Sequence, residues 1–125
     1  MKIVVADDDP AMRRLVVEAL RRDGHEVEQA GNGAALLNRL AVNVDQPASG
    51  LDLIISDIRM PAFTGLDLLE ALRAIDCTTP VILMTAFPDV ETRKAARRLG
   101  AVLFDKPFDI DDLRTATLHL LRKPD

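Results

Sequence analysis

LDLIISDIRMPAFTGLDLL, residues Leu51 to Leu69, contains a short apolar run that stops abruptly at a carboxylate, Asp57. The run is rich in β-branched residues and bounded by turn residues, which is typical of a strand buried on both faces of a parallel sheet. A loop with Pro61 and Gly65 follows, and then leucines at helical spacing. Asp57 is therefore predicted at the carboxyl end of a buried strand, the sheet edge where open α/β proteins bind ligands.

Outward from this stretch, strand-like and helix-like segments alternate along the whole chain. Strands are predicted at 2–6, 25–30, 53–56, 81–84 and 101–104. Such alternation indicates a parallel sheet with helices on both faces and right-handed crossovers. The polar second strand suits a sheet edge, which favours the order 2-1-3-4-5 of a doubly wound, flavodoxin-like α/β fold. We expect residues 1–125 to form a single domain.

The helices are predicted from caps and apolar stripes. Asp9 before Pro10 predicts a helix start, and Asp109 caps the last helix. The fourth helix, from Pro88-Asp89 to Gly100, has few apolar residues and is expected to dock weakly, while residues 43–50 read as a surface loop. The predicted inner faces are Met12, Leu15, Val16, Ala19 and Leu20; Ala34, Leu37, Leu40 and Ala41; Leu66, Leu68, Leu69, Leu72 and Ile75; Ala95, Ala96 and Leu99; and Leu113, Ala116, Leu120 and Leu121.

Composition excludes several classes of protein. Hydrophobic residues make up 48% and charged residues 29%, and no apolar run is long enough to span a membrane. The early acidic residues do not suit a secretory signal, and the single Cys77 agrees with a reducing compartment, so a cytoplasmic location is expected. A net charge of −4 argues against direct nucleic-acid binding. The basic residues of the fourth helix are interpreted as a solvated face.

Polar residues follow four of the predicted strands at the point where each ends. They are Asp7 and Asp8 after the first strand, Asp57 after the third, Thr85 after the fourth and Lys106 after the fifth. Because the carboxyl ends of parallel strands share one edge of the sheet, these side chains are expected to meet in a shallow pocket.

This set of groups suits metal-assisted phosphoryl transfer. Three adjacent carboxylates repel one another unless they take up protons or bind a cation, and Mg²⁺ prefers such oxygen ligands. Asp57 could act as nucleophile toward a phosphoryl group. Mg²⁺ held by Asp7 and Asp8, together with Lys106, would neutralise the transferring oxygens, and Thr85 could donate a hydrogen bond. Asp9 is interpreted as a helix cap only.

The segments VVADDDPAMRRLV, DLIISDIRMPAFTGLDLL, PVILMTAF and DKPFD, in this order and spacing, resemble a response regulator receiver domain of two-component signalling. The resemblance implies that Asp57 is the phosphoacceptor, with Asp7, Asp8, Asp57 and the backbone carbonyl of Arg59 around Mg²⁺. It implies that Thr85 and Lys106 contact the phosphoryl group and that the Lys106–Pro107 bond is cis.

The resemblance also implies partners. A histidine kinase or a histidine phosphotransfer protein would donate the phosphoryl group. The surface of the fourth helix, fifth strand and fifth helix would then favour a different partner or a homodimer. The chain departs from the family at Leu103. The family usually has an aromatic residue at this position, three residues before the lysine. The resemblance therefore does not extend to coupling between Thr85 and an aromatic side chain on the fifth strand.

The sequence leaves two other functions open. A phosphohydrolase with an aspartate nucleophile usually carries a second aspartate two residues later, where this chain has Arg59. A receiver fold could also serve as a protein-binding module that does not use phosphorylation. The intact acidic site argues against this function, and Leu103 leaves it open.

Overall fold

The computed structural model describes residues 1–41, 50–61, 63–87 and 89–122. Its strands are β1 (Lys2–Ala6), β2 (Glu26–Ala30), β3 (Leu53–Asp57), β4 (Val81–Thr85) and β5 (Val102–Asp105). Its helices are α1 (Pro10–Arg22), α2 (Gly33–Leu40), α3 (Gly65–Ala74), α4 (Val90–Arg98) and α5 (Ile110–Leu121). The predicted surface loop, apart from Gly50, and Pro88 at the predicted start of α4 lie outside the described residues.

All strand pairs are parallel, and the sheet order is β2-β1-β3-β4-β5. The predicted α/β fold, the parallel sheet and the strand order are confirmed. Both β3 and β4 are buried along their whole length, as expected for strands covered on two faces. No helix in the described part of the chain is long and apolar enough to cross a membrane.

Alternate residues of the central strands supply two separate cores. Val4, Ile54 and Leu83 pack on the side of α2, α3 and α4. Their neighbours Val5, Ile55 and Ile82 pack on the side of α1 and α5. Because side chains alternate along a strand, each central strand stabilises both layers of helices and is held in a fixed register.

The helix starts agree with the predicted caps. The carboxylate of Asp9 accepts a hydrogen bond from the backbone N–H of Ala11 at 3.0 Å, and Pro10 is the first residue of α1. Asp109 caps α5 in the same way, through the N–H of Asp111 at 2.9 Å. These caps fix where α1 and α5 begin, directly after the strand ends that carry the polar residues.

Some of the predicted helix faces are wrong in detail. Five residues of the predicted inner faces are exposed, namely Leu15, Ala34, Leu37, Ala41 and Ile75, whereas Val17 and Leu36 are buried. Adjacent apolar residues offer two stripes at helical spacing, and only the stripe that meets the sheet is buried. In α4 only Ala96 is buried, so the prediction that this helix buries little is confirmed, while its docking strength stays a prediction.

Thr117 is fully buried in α5, and its hydroxyl has no hydrogen-bond partner within the described residues. A buried hydroxyl without a partner loses its hydrogen bonds to water on folding and gains none in return, which lowers the free energy of unfolding. We therefore expect Thr117→Val, which preserves the shape, to raise the free energy of unfolding by about 1 kcal/mol in urea denaturation. The exposed Thr115 on the same helix provides a control, since Thr115→Val should change stability little. Destabilisation by Thr117→Val would show that its hydroxyl is satisfied.

Candidate functional site

The predicted polar residues meet at the carboxyl edge of the sheet. Asp7 is fully buried, Asp57 is 6% exposed and Thr85 is 1% exposed. Asp8 is exposed at the mouth of the site. Lys106 directly follows β5, and its side chain is 15% exposed. The sheet thus places two buried carboxylates beside one that reaches solvent.

Lys106 connects the two buried carboxylates. Its Nζ donates to Asp7 Oδ2 at 3.0 Å and to Asp57 Oδ2 at 3.1 Å. Its backbone N–H also donates to the carbonyl of Thr85 at 2.7 Å, which fixes the end of β5 against the end of β4. The following bond, Lys106–Pro107, is cis, as the resemblance to receiver domains implies. One ammonium therefore contacts two acidic groups that come from different strands.

Backbone contacts orient the carboxylates. Asp7 Oδ1 accepts the N–H of Asp9 at 2.9 Å, and Asp57 Oδ1 accepts the N–H of Arg59 at 3.2 Å. A side chain at Gly65 would collide with the Asp57 carbonyl, since its Cβ would lie 2.5 Å from that oxygen. The start of α3 can therefore approach the end of β3 only because residue 65 is glycine.

Burial and the neighbouring negative charge disfavour the ionised form of Asp57. Burial raises the pKa of Asp57, and the nearby charge of Asp7 acts in the same direction, although the hydrogen bond and charge of Lys106 oppose it. For Lys106, burial alone would lower the pKa, but hydrogen bonds and charge from Asp7 and Asp57 outweigh it and raise that pKa. One lysine does not offset three carboxylates, which is typical of a site that binds a cation.

The donor set suits a hard divalent cation. One carboxylate oxygen from each of Asp7, Asp8 and Asp57 lies within 4.8 Å of the others. Asp8 provides an open side, so that a cation there could keep water molecules and accept a further oxygen ligand, as Mg²⁺ prefers. The residues therefore fit the Mg²⁺ that the sequence implies.

A groove of about 570 Å³ leads from Asp8 to Thr85 and is flanked by Arg59 and Phe87. The guanidinium of Arg59 lies over the Phe87 ring, 4.3 Å from its centroid. Thr85 Oγ1 accepts the N–H of Phe87 at 3.0 Å. Phe87 was not predicted as a site residue. The signal that could have identified it is its position, two residues after Thr85 at the end of β4.

The two aromatic residues near β5 do not replace the one missing at Leu103. Leu103 packs on the α4 side of the sheet, whereas Phe104 packs in the opposite core. There Phe104 contacts Phe108 edge to face, with ring centroids 5.6 Å apart. No aromatic side chain of β5 therefore packs on the α4 side of the sheet.

The raised pKa of Asp57 predicts how stability depends on pH. Since the folded protein holds this proton more tightly than the unfolded chain, the stability linked to Asp57 is greatest at low pH and is lost as pH rises through the folded pKa. Asp57→Asn, which is neutral throughout, should therefore be more stable than wild type at pH 7, with a gap that narrows on acidification. Urea denaturation at several pH values measures this, and a gap that widens on acidification would contradict the direction of the shift.

Comparison with known proteins agrees with this geometry. The family model described as response regulator receiver domain matches residues 3–118. The chain is 34% identical over 121 residues to sporulation initiation phosphotransferase F of Bacillus subtilis, covering 96% of this chain and 93% of that one. Other curated relatives are longer, and the chain spans only 25% of one of them and 53% of another.

Solved structures show the same likeness. The receiver domain of Francisella response regulator 1452 superposes with a TM-score of 0.86 at 29% identity, covering 97% of this chain and 96% of that chain. The response regulator protein TrrA of Thermotoga maritima, solved in complex with Mg²⁺ and BeF, gives a TM-score of 0.79 at 28% identity, covering 95% and 97%. The chain belongs to the response regulator receiver domain family.

Proposed function

We propose that this receiver domain accepts a phosphoryl group on Asp57 and that Mg²⁺ assists the transfer. The observation that carries this proposal is the contact of Lys106 Nζ with both Asp7 and Asp57, beside a third carboxylate, Asp8. A purely structural ion pair needs only one carboxylate for each lysine. Here the excess of acid is buried at the edge where a ligand can reach it.

The residues have distinct roles in the transfer. A carboxylate oxygen of Asp57 would attack the phosphorus of the donor's phosphohistidine, so that the P–O bond forms as the P–N bond breaks and the imidazole leaves with the electron pair. The N–H of Arg59 and the Nζ of Lys106 would orient the carboxylate. Lys106 would then contact a phosphoryl oxygen, because the Asp57 carboxylate loses its charge on becoming an acyl group and the negative charge lies on the phosphoryl oxygens. The Thr85 hydroxyl accepts a hydrogen bond in this structure, and its own hydrogen can be donated to the phosphoryl group.

Asp7, Asp8, Asp57 and the backbone carbonyl of Arg59 are the proposed ligands of Mg²⁺, which would supply positive charge beside the transferring oxygens. The TrrA structure, named for its complex with Mg²⁺ and BeF, supports this choice of metal. Asp7 is already held by Lys106 and by the N–H of Asp9, so the exposed Asp8 is the ligand with the most freedom to move.

A histidine kinase or a histidine phosphotransfer protein is the proposed donor, with the cytoplasm as the compartment. The proposed output surface consists of α4, β5 and α5. Arg93 of α4 pairs with Asp105, the last residue of β5, at 2.6 Å, and Asp105 directly precedes Lys106. Movement of Lys106 toward a phosphoryl group would therefore act on α4, changing the affinity of this surface for a partner or a second copy.

Acetyl phosphate and Mg²⁺ test the proposal without a cognate kinase. We expect intact-mass measurement to show one phosphoryl adduct that survives acid and is lost in base, as an acyl phosphate is. Wild-type protein that gains no adduct would contradict the proposal. Steady release of phosphate from a phosphomonoester would instead favour the phosphohydrolase.

Leu103 gives a specific reason to test a second function, a binding module that does not use phosphorylation. Without an aromatic on the α4 face of β5, the site and the output surface could be uncoupled. Beryllofluoride with Mg²⁺ separates the two functions. Amide shifts in α4 and β5 are expected if the domain is a switch, and shifts confined to the acidic site would favour the module.

A further inference from the structure

Arg13, near the start of α1, contacts the backbone of the acidic site. Its Nη1 donates to the carbonyl of Asp7 at 2.7 Å, and its Nε donates to Oε1 of Gln29 in β2 at 3.2 Å. Within the described residues these are its only side-chain hydrogen bonds, and it pairs with no carboxylate. The adjacent Arg14 is exposed and makes no side-chain hydrogen bond in the same part of the chain. Arg13 therefore uses its guanidinium to hold two neutral oxygens.

The backbone of Asp7 is held on both sides. Its N–H donates to the carbonyl of Ala30 at 3.2 Å, and its carbonyl accepts from Arg13. Because a peptide group is planar, fixing the Asp7 carbonyl also fixes where the Cα of Asp8 lies. The guanidinium is a rigid planar fork, so the bond to Gln29 also sets the direction of the bond to Asp7. The Asp7–Asp8 peptide is thus tied to α1 and β2 together.

The position of the Asp8 carboxylate depends on this peptide. Asp8 is exposed, and its side chain accepts no hydrogen bond within the described residues. One of its carboxylate oxygens nevertheless lies within 4.8 Å of oxygens from Asp7 and Asp57. The side chain of Asp7, by contrast, is held directly by Lys106. What keeps Asp8 in the cluster is its backbone, and Arg13 holds that backbone.

We propose that Arg13 is a positioning residue of the metal site, which fixes the spacing of the carboxylates and so makes the site prefer Mg²⁺ to Ca²⁺. Mg²⁺ requires nearly octahedral oxygen ligands at about 2.0–2.1 Å, whereas Ca²⁺ accepts irregular ligand sets at about 2.3–2.6 Å. Carboxylates on a fixed backbone can meet the stricter requirement. The inference rests on the proposed function, in which Asp7, Asp8 and Asp57 bind Mg²⁺, and it adds the residue that sets the choice of cation.

The charge of Arg13 and its hydrogen bonds predict opposite effects on cation binding. A guanidinium close to three carboxylates repels a second cation, so a residue acting only through its charge would strengthen the binding of Mg²⁺ and Ca²⁺ when removed. A residue that holds the Asp7–Asp8 peptide would weaken the binding of Mg²⁺ when removed, because the ligands lose their spacing. The sign of the change in Mg²⁺ affinity therefore separates the two roles.

Isothermal titration of the unphosphorylated protein with MgCl₂ and with CaCl₂, without a phosphoryl donor, measures both affinities. In Arg13→Ala we expect the dissociation constant of Mg²⁺ to rise about tenfold, the size usual when a group that orients a metal ligand is lost. The constant of Ca²⁺ should rise no more than about twofold, since Ca²⁺ tolerates irregular ligand sets. Arg14→Ala is the matched control, because it removes the same charge from the adjacent, exposed position and should leave both constants unchanged.

A second variant loosens Arg13 without changing any charge. Gln29→Leu removes the acceptor of the Nε–H, and Gln29 is exposed, so the fold should persist. The loss of one hydrogen bond should raise the dissociation constant of Mg²⁺ about threefold and leave that of Ca²⁺ nearly unchanged. Urea denaturation curves show whether each variant is folded under the titration conditions. If Arg13→Ala does not fold, Gln29→Leu decides, and wild-type constants for both cations in that variant would overturn the inference.

The failure of this inference can be told apart from the failure of the proposed metal site. If wild type binds Mg²⁺ and Arg13→Ala binds it as tightly as Arg14→Ala or more tightly, the inference alone is overturned. The same holds if the constants of Mg²⁺ and Ca²⁺ rise by equal factors in Arg13→Ala. If wild type binds no Mg²⁺, the metal site and the inference are both overturned.

Discussion

Asp57→Asn is expected to reduce phosphoryl incorporation from acetyl phosphate to background, a loss of at least about two orders of magnitude. An amide has almost the shape of the carboxylate, and its one oxygen can still accept the hydrogen bond from the N–H of Arg59, although its NH₂ group cannot accept the bond from Lys106. Since Lys106 keeps its bond to Asp7, the fold should persist. What is lost is the nucleophilic oxygen. Intact-mass spectra of wild type and variant, taken at matched times with Mg²⁺, measure the effect.

Asp52→Asn controls for removal of a carboxylate close to the same strand. Asp52 is exposed at the opposite end of β3, where it accepts a hydrogen bond from the backbone N–H of Lys2 that an asparagine oxygen can also accept. This variant should incorporate as much phosphoryl group as wild type. Equal labelling of Asp57→Asn and wild type would mean that another side chain accepts the group.

Removal of the cation is expected to have the second-largest effect. Chelation of Mg²⁺, or Asp8→Asn, should slow phosphorylation by at least about a hundredfold, since a metal ion contributes several kcal/mol of charge stabilisation in such reactions. Asp8 is the exposed member of the carboxylate cluster, so its substitution should leave the buried contacts of Asp7, Asp57 and Lys106 in place. Phosphorylation rates at a series of Mg²⁺ concentrations measure this effect.

Asp9→Asn is the matched control for Asp8→Asn. Asp9 is the adjacent carboxylate, but it caps α1 and lies outside the cluster, and asparagine caps helices equally well. Mg²⁺ should also raise the thermal midpoint of wild type and of Asp9→Asn, because a ligand that binds only the folded state stabilises it. If Asp8→Asn keeps the wild-type dependence on Mg²⁺, Asp8 is not a ligand.

The sheet edge and its chemistry could be predicted because they depend on chain order. Strands identified by apolar runs must all end at the same edge of a parallel sheet, so Asp7, Asp57 and Lys106 had to converge. The caps at Asp9 and Asp109 depend on neighbouring residues only and were also predictable. Such local and topological rules account for the fold and most of the site.

Contacts that depend on how the helices, strands and loops pack against one another could not be predicted in the same way. Leu36 rather than Leu37 is buried because the sheet covers one of two apolar stripes of α2, and sequence spacing alone does not select between them. The stacking of Arg59 on Phe87 joins the loops after β3 and β4, which are far apart in sequence. The placement of Leu103 and Phe104 in opposite cores likewise depends on how β5 packs in the sheet.

The central claim is that Asp57 itself carries the phosphoryl group. Its most direct test is treatment with acetyl phosphate and Mg²⁺, then reduction with borohydride, which converts an aspartyl phosphate to homoserine, and peptide sequencing by mass spectrometry. We predict homoserine at position 57 and unmodified aspartate at positions 7 and 8. Homoserine at position 7 or 8, or a phosphoryl group retained on a serine, threonine or lysine, would contradict the account.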